Sequence, residues 1–343
     1  MKIIVTGGTG YIGSHTVVEL LKAGFEVAII DNLYNSEESV LDRIETITSK
    51  RPAFEAIDLC DNEASLSFFR KHQDAVAVIH FAALKAVGES VKKAIWYYEN
   101  NLGSTFNLFK CMNDVGIPSI IFSSSATIYG KYPELPVKEN SPKFPTSSPY
   151  GSSKQMIKTI LKDTIIGENE IKNGISLRYF NPIGAHESAL IGEAPKGIPN
   201  NLLPYITQTA IGLRDSLSVF GADYDTPDGT AVRDYIHVVD LAHAHVKALQ
   251  RLVNEENETD YEVFNIGAGK GYSVLQVIEA FERMNDVKVN YKISPRRPGD
   301  EPMFYADSTL AQEKLNWQAE LNIDEMVASA WKWEAYYREH LQK

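Results

Sequence analysis

The sequence predicts an α/β fold, a doubly wound parallel sheet with a smaller α/β substrate-binding C-terminal domain. Short apolar runs alternate with longer stretches of helical periodicity through the first half of the chain, the pattern of a parallel sheet covered by helices on both faces. The first apolar run ends in a glycine-rich turn that opens a helix, an arrangement that seats a pyrophosphate on a helix N-terminus. At 343 residues the chain is long enough to bury a large core and to divide in two.

Strands are predicted at 3–6, 27–30, 53–57, 76–80, 119–122 and 176–179, each a short run of apolar residues. Helices are predicted between them at 12–22, 63–71, 95–114 and 150–171, where apolar residues recur at helical spacing. Six strands with their crossover helices make a Rossmann domain over residues 1–180. After Asn181 the texture changes: residues 181–204 are rich in proline and glycine and lack periodicity, which suits an ordered binding loop. Residues 181–343 are expected to form the second domain. Two later strand-to-helix units, 235–252 and 262–284, let the segment near 235–266 return to the first. The acidic stretch 254–260 reads as a solvated loop.

A composition of 44% hydrophobic and 23% charged residues excludes wholesale disorder. With 34 Lys+Arg against 45 Asp+Glu, the formal charge of -11 repels a polyanion, so nucleic acid is not an expected partner. Arg296 and Arg297 are the only adjacent arginines, enough for one diphosphate. Cys60 and Cys111 are the only cysteines, and neither has Cys or His at metal-ligand spacing. No apolar stretch reaches the roughly 18 residues of a membrane span, and Met1 to Val5 run straight into the glycine turn. The expectation is a cytoplasmic protein without metal or membrane partner.

The turn is Gly7-Gly8-Thr9-Gly10-Tyr11-Ile12-Gly13. Gly7 permits the tight turn, Gly10 lets backbone approach phosphate, and Gly13 lets helix pack on strand. Asp31 ends the next strand, close to the offset at which an acid takes the adenosine ribose hydroxyl and repels a 2'-phosphate, which favours NAD over NADP. Asp58 suits either the adenine amino group or a helix N-cap. Phe81-Ala82-Ala83-Leu84-Lys85 follows the fourth strand with small residues against which a cofactor can lie. A second glycine cluster, Gly267 to Gly271, lacks the Walker spacing and an acid at the right offset, and reads as a helix-opening turn capped by Ser273.

Tyr150 is the only one of 17 tyrosines with a lysine four residues on, Lys154, so both side chains share one helix face. A lysine cation and an oxidised nicotinamide both favour phenolate over phenol, which would make Tyr150 a base for a sugar hydroxyl. Ser125, just past the fifth strand, is placed to hydrogen-bond the same oxygen.

In Gly7-x-x-Gly10-x-x-Gly13, the Ser125 segment and Tyr150-x-x-x-Lys154 the chain resembles the extended short-chain dehydrogenase/reductases. Residues 6–16, 81–90, 122–130, 178–185, 197–204 and 233–241 are most similar to the branch that inverts carbon 4 of UDP-hexoses. The resemblance implies NAD as cofactor, held also by Tyr11, Ile12, Asn32, Asn35, Ser36, Leu59, Asn100, Ser125, Tyr150, Lys154 and Phe180. It implies UDP-glucose and UDP-galactose as substrates, contacted by Ser125, Tyr150, Asn181, Asn200, Asn201, Leu202, Arg233, Arg297 and Asp300, with Val219 and Phe220 beside uracil. It also implies oxidation at carbon 4, turning of the 4-keto sugar and re-reduction from the other face, with NAD retained throughout. Phe304 matches the position lining the sugar's far side, where an aromatic ring leaves little room for an N-acetyl group. A homodimer through the helices at 95–114 and 150–171 is implied as well.

The rival 4,6-dehydratases need an Asp-Glu pair where this chain has Ala126 and Thr127, and neither is an acid or base at neutral pH. A plain dehydrogenase and an inactive NAD-binding scaffold remain as alternatives at this point.

Overall fold

The computed structural model describes residues 1–341 apart from 132–133, 168 and 298. Its first half runs β1 (Lys2–Thr6), α1 (Tyr11–Lys22), β2 (Glu26–Asp31), α2 (Val40–Thr48), β3 (Ala53–Ala56), α3 (Asn62–Lys71), β4 (Ala75–His80), α4 (Val87–Lys92), α5 (Ala94–Val115), β5 (Ser119–Ser125), α6 (Pro149–Ile166) and β6 (Asn173–Tyr179). A 3-10 turn, Ala126–Tyr129, follows β5. The second half runs β7 (Asn181–Ile183), α7 (Leu202–Ala210), β8 (Leu217–Phe220), β9 (Val232–His237), α8 (Val238–Val253), β10 (Tyr261–Ile266), β11 (Gly271–Ser273), α9 (Val274–Asn285), β12 (Tyr291–Ser294), β13 (Met303–Phe304), α10 (Thr309–Leu315) and α11 (Ile323–Tyr336).

The central sheet has seven strands in the order β10-β6-β5-β4-β1-β2-β3, every pair parallel. Alternation along each strand feeds two cores, one on each face: Ile3, Val5, Ile29, Ile79 and Ile121 on one side, Ile4, Ile30, Val78, Ile120 and Phe122 on the other. A sheet covered on both faces needs such near-continuous apolar strands. The chain builds outward from β1 to β3 and then resumes on the other side at β4, so β1 and β4 flank the switch point beyond whose C-terminal ends ligands bind in such sheets.

The second half does not stay apart. β10 pairs with β6, and α8 packs on α1. The remaining strands form a small sheet, β11-β9-β13 with β7 on β9, and a β8-β12 ribbon, over a third core that includes Ile206, Leu217, Tyr235, Phe281 and Met326.

Several boundaries differ from the sequence expectation. β5 continues through Ser123, Ser124 and Ser125, which pair with Leu177, Arg178 and Tyr179; the apolar run stops at Phe122, but the ladder needs only backbone. α6 ends at Ile166, where Gly167 follows, rather than at 171. α2 was not expected, and the proline-rich segment 181–204 holds β7 and the start of α7.

Candidate active site

The Gly7–Gly13 turn is built for close approach. Gly7 has φ of +72°, and a Cβ there would lie 2.8 Å from the Ala82 nitrogen; a Cβ on Gly13 would collide with the Gly7 carbonyl oxygen. Gly10 is the N-cap of α1 and supplies no side-chain cap, so the first N–H groups of the helix remain available to an anion. These groups open onto a cleft of about 480 Å³ at the β1/β4 switch point, a volume in the ordinary range of cofactor sites.

Gly7, Gly10, Tyr11, Ile12, Gly13, Asp31, Asn32, Asn35, Ser36, Asp58, Leu59, Phe81, Ala82, Ala83, Lys85, Asn100, Tyr150 and Lys154 all line that cleft. Asp31 is fixed by the Thr9 and Leu33 N–H groups at 3.2 and 2.9 Å. Asp58 accepts from Asn32 Nδ2 at 3.0 Å; the cap of α3 is Asp61, not Asp58. Two of the expected cofactor residues, Ser125 and Phe180, lie instead on a neighbouring cleft. Backbone and side chains together fit a dinucleotide lying along the cleft.

Residues not anticipated close it over. Lys196 Nζ donates to the Leu33 and Tyr34 carbonyls at 2.8 and 3.2 Å, and the Tyr34 and Trp96 rings meet edge to face at 5.9 Å. Glu193 is held by Lys85 at 3.3 Å, by Asn201 Nδ2 at 2.6 Å, and through its carbonyl by Trp333 Nε1 at 3.0 Å. The irregular, proline-rich texture of 181–204 was the available signal for Glu193 and Lys196. Trp333 and Tyr337 also line the cleft and carry no local signal.

Pro149 opens α6, and Ser148 caps it by accepting from the Gly151 N–H, which brings Tyr150 and Lys154 into its first turns. Both are buried. Lys154 Nζ donates to the Ser123 carbonyl at 2.9 Å and lies 4.8 Å from the Phe122 ring centroid. Ser125 ends β5, and its Oγ accepts from the Thr127 N–H at 3.2 Å. The expected lowering of Tyr150 depends on Lys154 together with an oxidised nicotinamide; with the protein alone the shifts run the other way. Burial raises the Tyr150 hydroxyl above its ordinary value, a hydrogen bond with Ser125 opposing it, and burial lowers Lys154 to about 7. In the protein alone desolvation is the largest influence on both groups.

The neighbouring cleft, about 180 Å³, is lined by Ser125, Ala126, Thr127, Phe180, Asn181, Arg233 and Phe304. Lys131, Thr146, Ser147, Ser148 and Glu301 line it too; sequence reasoning missed them because they lie in loops without pattern. The Phe180 and Phe304 rings sit 5.2 Å apart. Arg233 and Arg297 converge on Asp300, at 3.5 and 3.2 Å, and Arg297 covers the Phe220 ring at 4.8 Å. Arg296 turns away to Asp223 and Tyr224.

Four expected substrate residues depart from this group. Asn200 and Asn201 line the larger cleft. Leu202 packs against the third core. Val219 is fully buried in that core, because strand alternation turns it inward and leaves only Phe220 outward; its side chain cannot flank a base. The Gly267 cluster does precede a helix, α9, capped by Ser273 in a capping box with Gln276. No group of three or more His, Cys, Asp or Glu among the described residues is arranged to hold a metal ion, and no helix among them is long and apolar enough to cross a membrane.

A glycine-cradled dinucleotide cleft with a buried Tyr–Lys pair at its wall, meeting a second cleft at a serine, defines a dinucleotide-dependent enzyme of the short-chain dehydrogenase/reductase class. Residues 4–330 match the family model described as GDP-mannose 4,6 dehydratase. The chain belongs to that family, in its UDP-glucose 4-epimerase branch: it is 51% identical over 335 residues to the UDP-glucose 4-epimerase of Erwinia amylovora, covering 98% of each chain. Among solved structures it resembles UDP-glucose 4-epimerase from Bifidobacterium longum in complex with NAD+ and UDP (TM-score 0.93, 47% identity, 98% of this chain and 99% of that one). It also resembles the Stenotrophomonas maltophila enzyme with bound NAD and formylated UDP-arabinopyranose (TM-score 0.94, 44% identity, 99% of each).

Proposed function

We propose that this protein interconverts UDP-galactose and UDP-glucose at carbon 4 with NAD as a retained cofactor. The observation that carries the reading is the junction of the two clefts: Tyr150 and Lys154 line the larger, while Ser125, whose hydroxyl favours the charged form of Tyr150, lines the smaller. NAD, when bound, supplies the reversible two-electron acceptor. Tyr150 takes the proton from the sugar's 4-hydroxyl and returns it after the 4-keto sugar has turned, while Ser125 holds the same oxygen. Lys154, anchored on the Ser123 carbonyl, is the cation that would join the nicotinamide in favouring the phenolate once NAD is bound. Ala126 and Thr127 line the sugar cleft where elimination would need an acid and a base, so the ketone's fate is reduction.

Asp31 supports NAD over NADP, since a carboxylate repels a 2'-phosphate. Arg233, Arg297 and Asp300 are assigned to the diphosphate, Phe220 to uracil, and Asn181, Phe180 and Phe304 to the sugar, while Asn200 and Asn201 line the larger cleft. Phe304 supports a preference for plain over acetamido hexoses. The first 180 residues, with β10 and α8, form the cofactor domain, and the remainder form the substrate domain. The exposed apolar side chains Ile95 and Phe106 on α5 and Met156 and Ile166 on α6 support a homodimer through these helices, and a cytoplasmic location belongs to the same reading.

Incubation with UDP-galactose is the test. UDP-glucose formed without net NADH, and one NAD per chain released on denaturation, is the expected result. Accumulating NADH would mark a dehydrogenase, and no product an inactive scaffold.

A further inference from the structure

The second glycine cluster has a use apart from opening α9. Asp234 follows Arg233 on β9 but points to the other side of the strand and has no solvent exposure. Its carboxylate accepts three main-chain N–H groups: Ala268 at 2.8 Å, Gly269 at 3.2 Å and Ala306 at 3.0 Å. These donors sit just before β11 and just after β13, the two strands that flank β9. There the backbones have left the ladder, Gly269 with φ of +69°, and the carboxylate takes up the N–H groups that a strand would otherwise satisfy.

Missing side chains make the space. A Cβ on Gly267 would lie 2.5 Å from Asp234 Oδ2 and 2.8 Å from the Ala306 Cβ. The main chain of Asp234 holds a further partner, its carbonyl accepting Asn181 Nδ2 at 2.9 Å. One buried residue is thereby tied to Asn181, to its neighbour Arg233, and to the segment two residues beyond Phe304. Those three line the smaller cleft from three separate stretches of chain.

We propose that Asp234 is a positioning residue, a buried carboxylate clasp that sets the spacing of Asn181, Arg233 and Phe304 and so fixes the width of the sugar cleft. The proposal rests on the reading of that cleft as the UDP-hexose site. Three N–H donors call for the acceptor-only oxygens of a carboxylate; an amide would turn an N–H against one of them. Burial raises Asp234 to about 6 and the three donors pull the other way, so the anion is the form clasped at neutral pH.

The test is Asp234→Asn measured beside the unsubstituted protein, with Gly267→Ala as a second variant that presses on the carboxylate from outside. The expected result for Asp234→Asn is a KM for UDP-galactose raised about tenfold or more, kcat within about threefold, and NAD content unchanged. Gly267→Ala should move KM in the same direction by about threefold. UDP-glucose binding by calorimetry should weaken in parallel. An unchanged KM in soluble Asp234→Asn overturns the clasp, as does loss of NAD in step with the rise in KM, which would mark general unfolding. Should Asp234→Asn be insoluble, an unchanged KM in Gly267→Ala overturns it. Absence of both turnover and UDP-glucose binding in the unsubstituted protein rejects the functional reading and the clasp together; normal turnover with unmoved variants rejects the clasp alone.

Discussion

The two clefts are built by opposite means. The larger takes one continuous backbone turn into its wall, with Gly7, Thr9, Gly10, Tyr11, Ile12 and Gly13, and Lys196 and the Tyr34–Trp96 pair reach across its rim. The smaller is drawn from separate stretches of chain between Val87 and Phe304, and its Arg233 rests on Asp300. A backbone cradle with a closed rim suits a ligand that stays, because its donors need no reordering. A cleft of side chains on separate loops suits a ligand that enters, turns and leaves. The difference matches a reaction in which the cofactor is restored every cycle and the sugar must present both faces.

The hardest test of the border between them is Tyr150→Phe. The ring remains and the proton carrier is lost, so UDP-galactose turnover should fall by about 10³-fold, near the middle of the range for a general acid–base group. Bound NAD should stay at one per chain. Retained turnover in this variant would remove Tyr150 from the chemistry and leave the two clefts without their proposed link.

Acid separates the halves next. Burial lowers His15 and His80 to about 3 and His245 to about 4, all on elements packed in the cofactor half, and lowers His237 on β9 to about 4. Between about pH 6.5 and these values the unfolded chain binds protons that the folded chain refuses, so stability is lost as pH falls through that window. Asp234, raised to about 6, acts in reverse: between its folded value and the ordinary carboxylate range the folded state holds the extra proton, which favours folding as pH falls. These four histidines outnumber the aspartate, so together they make stability fall as pH drops from about 6.5. Urea midpoints measured from pH 7 to pH 5 should drop steeply; a flat profile would contradict the burial of these imidazoles.

The contrast also explains what was legible in the sequence. The cofactor half was readable because its signals are local: Gly7, Gly10 and Gly13 at fixed spacing, Asp31 at the end of the next strand, Tyr150 and Lys154 four apart. Eighteen of the expected cofactor residues line one cleft. The substrate half depends on which way a strand faces and which loops meet, and neither is local. Val219 illustrates it: adjacent to Phe220 in sequence, it is turned into the core by the strand's alternation. Trp333, more than a hundred residues beyond the loop it holds, has no sequence signal at all. Asp234 adjoins Arg233 in sequence, yet Arg233 pairs with Asp300 and Asp234 with three backbone N–H groups.

Size selection in the smaller cleft gives a milder effect. Phe304 lies 5.2 Å from Phe180 and walls the space near Ser125. Phe304→Ala should raise the turnover of UDP-N-acetylglucosamine relative to UDP-galactose by about tenfold, within the range that a change in pocket volume confers. The readout is the ratio of kcat/KM for the two sugars, and an unchanged ratio would place the acetamido group elsewhere.

The smallest expected change concerns the rim. Lys196 is exposed, and its ammonium joins segment 191–200 to the loop after β2 through the Leu33 and Tyr34 carbonyls. Both carbonyls can be satisfied by water once the lysine is gone, so Lys196→Ala forfeits only about 1 kcal/mol. That corresponds to roughly fivefold faster loss of NAD from the purified protein, followed by trapping the released cofactor with a dehydrogenase. KM for UDP-galactose should not move, because no atom of Lys196 faces the smaller cleft. If it rose together with the rate of NAD loss, the two clefts would be one mobile unit, and the division between a held cofactor and an exchanging sugar would fail at this rim.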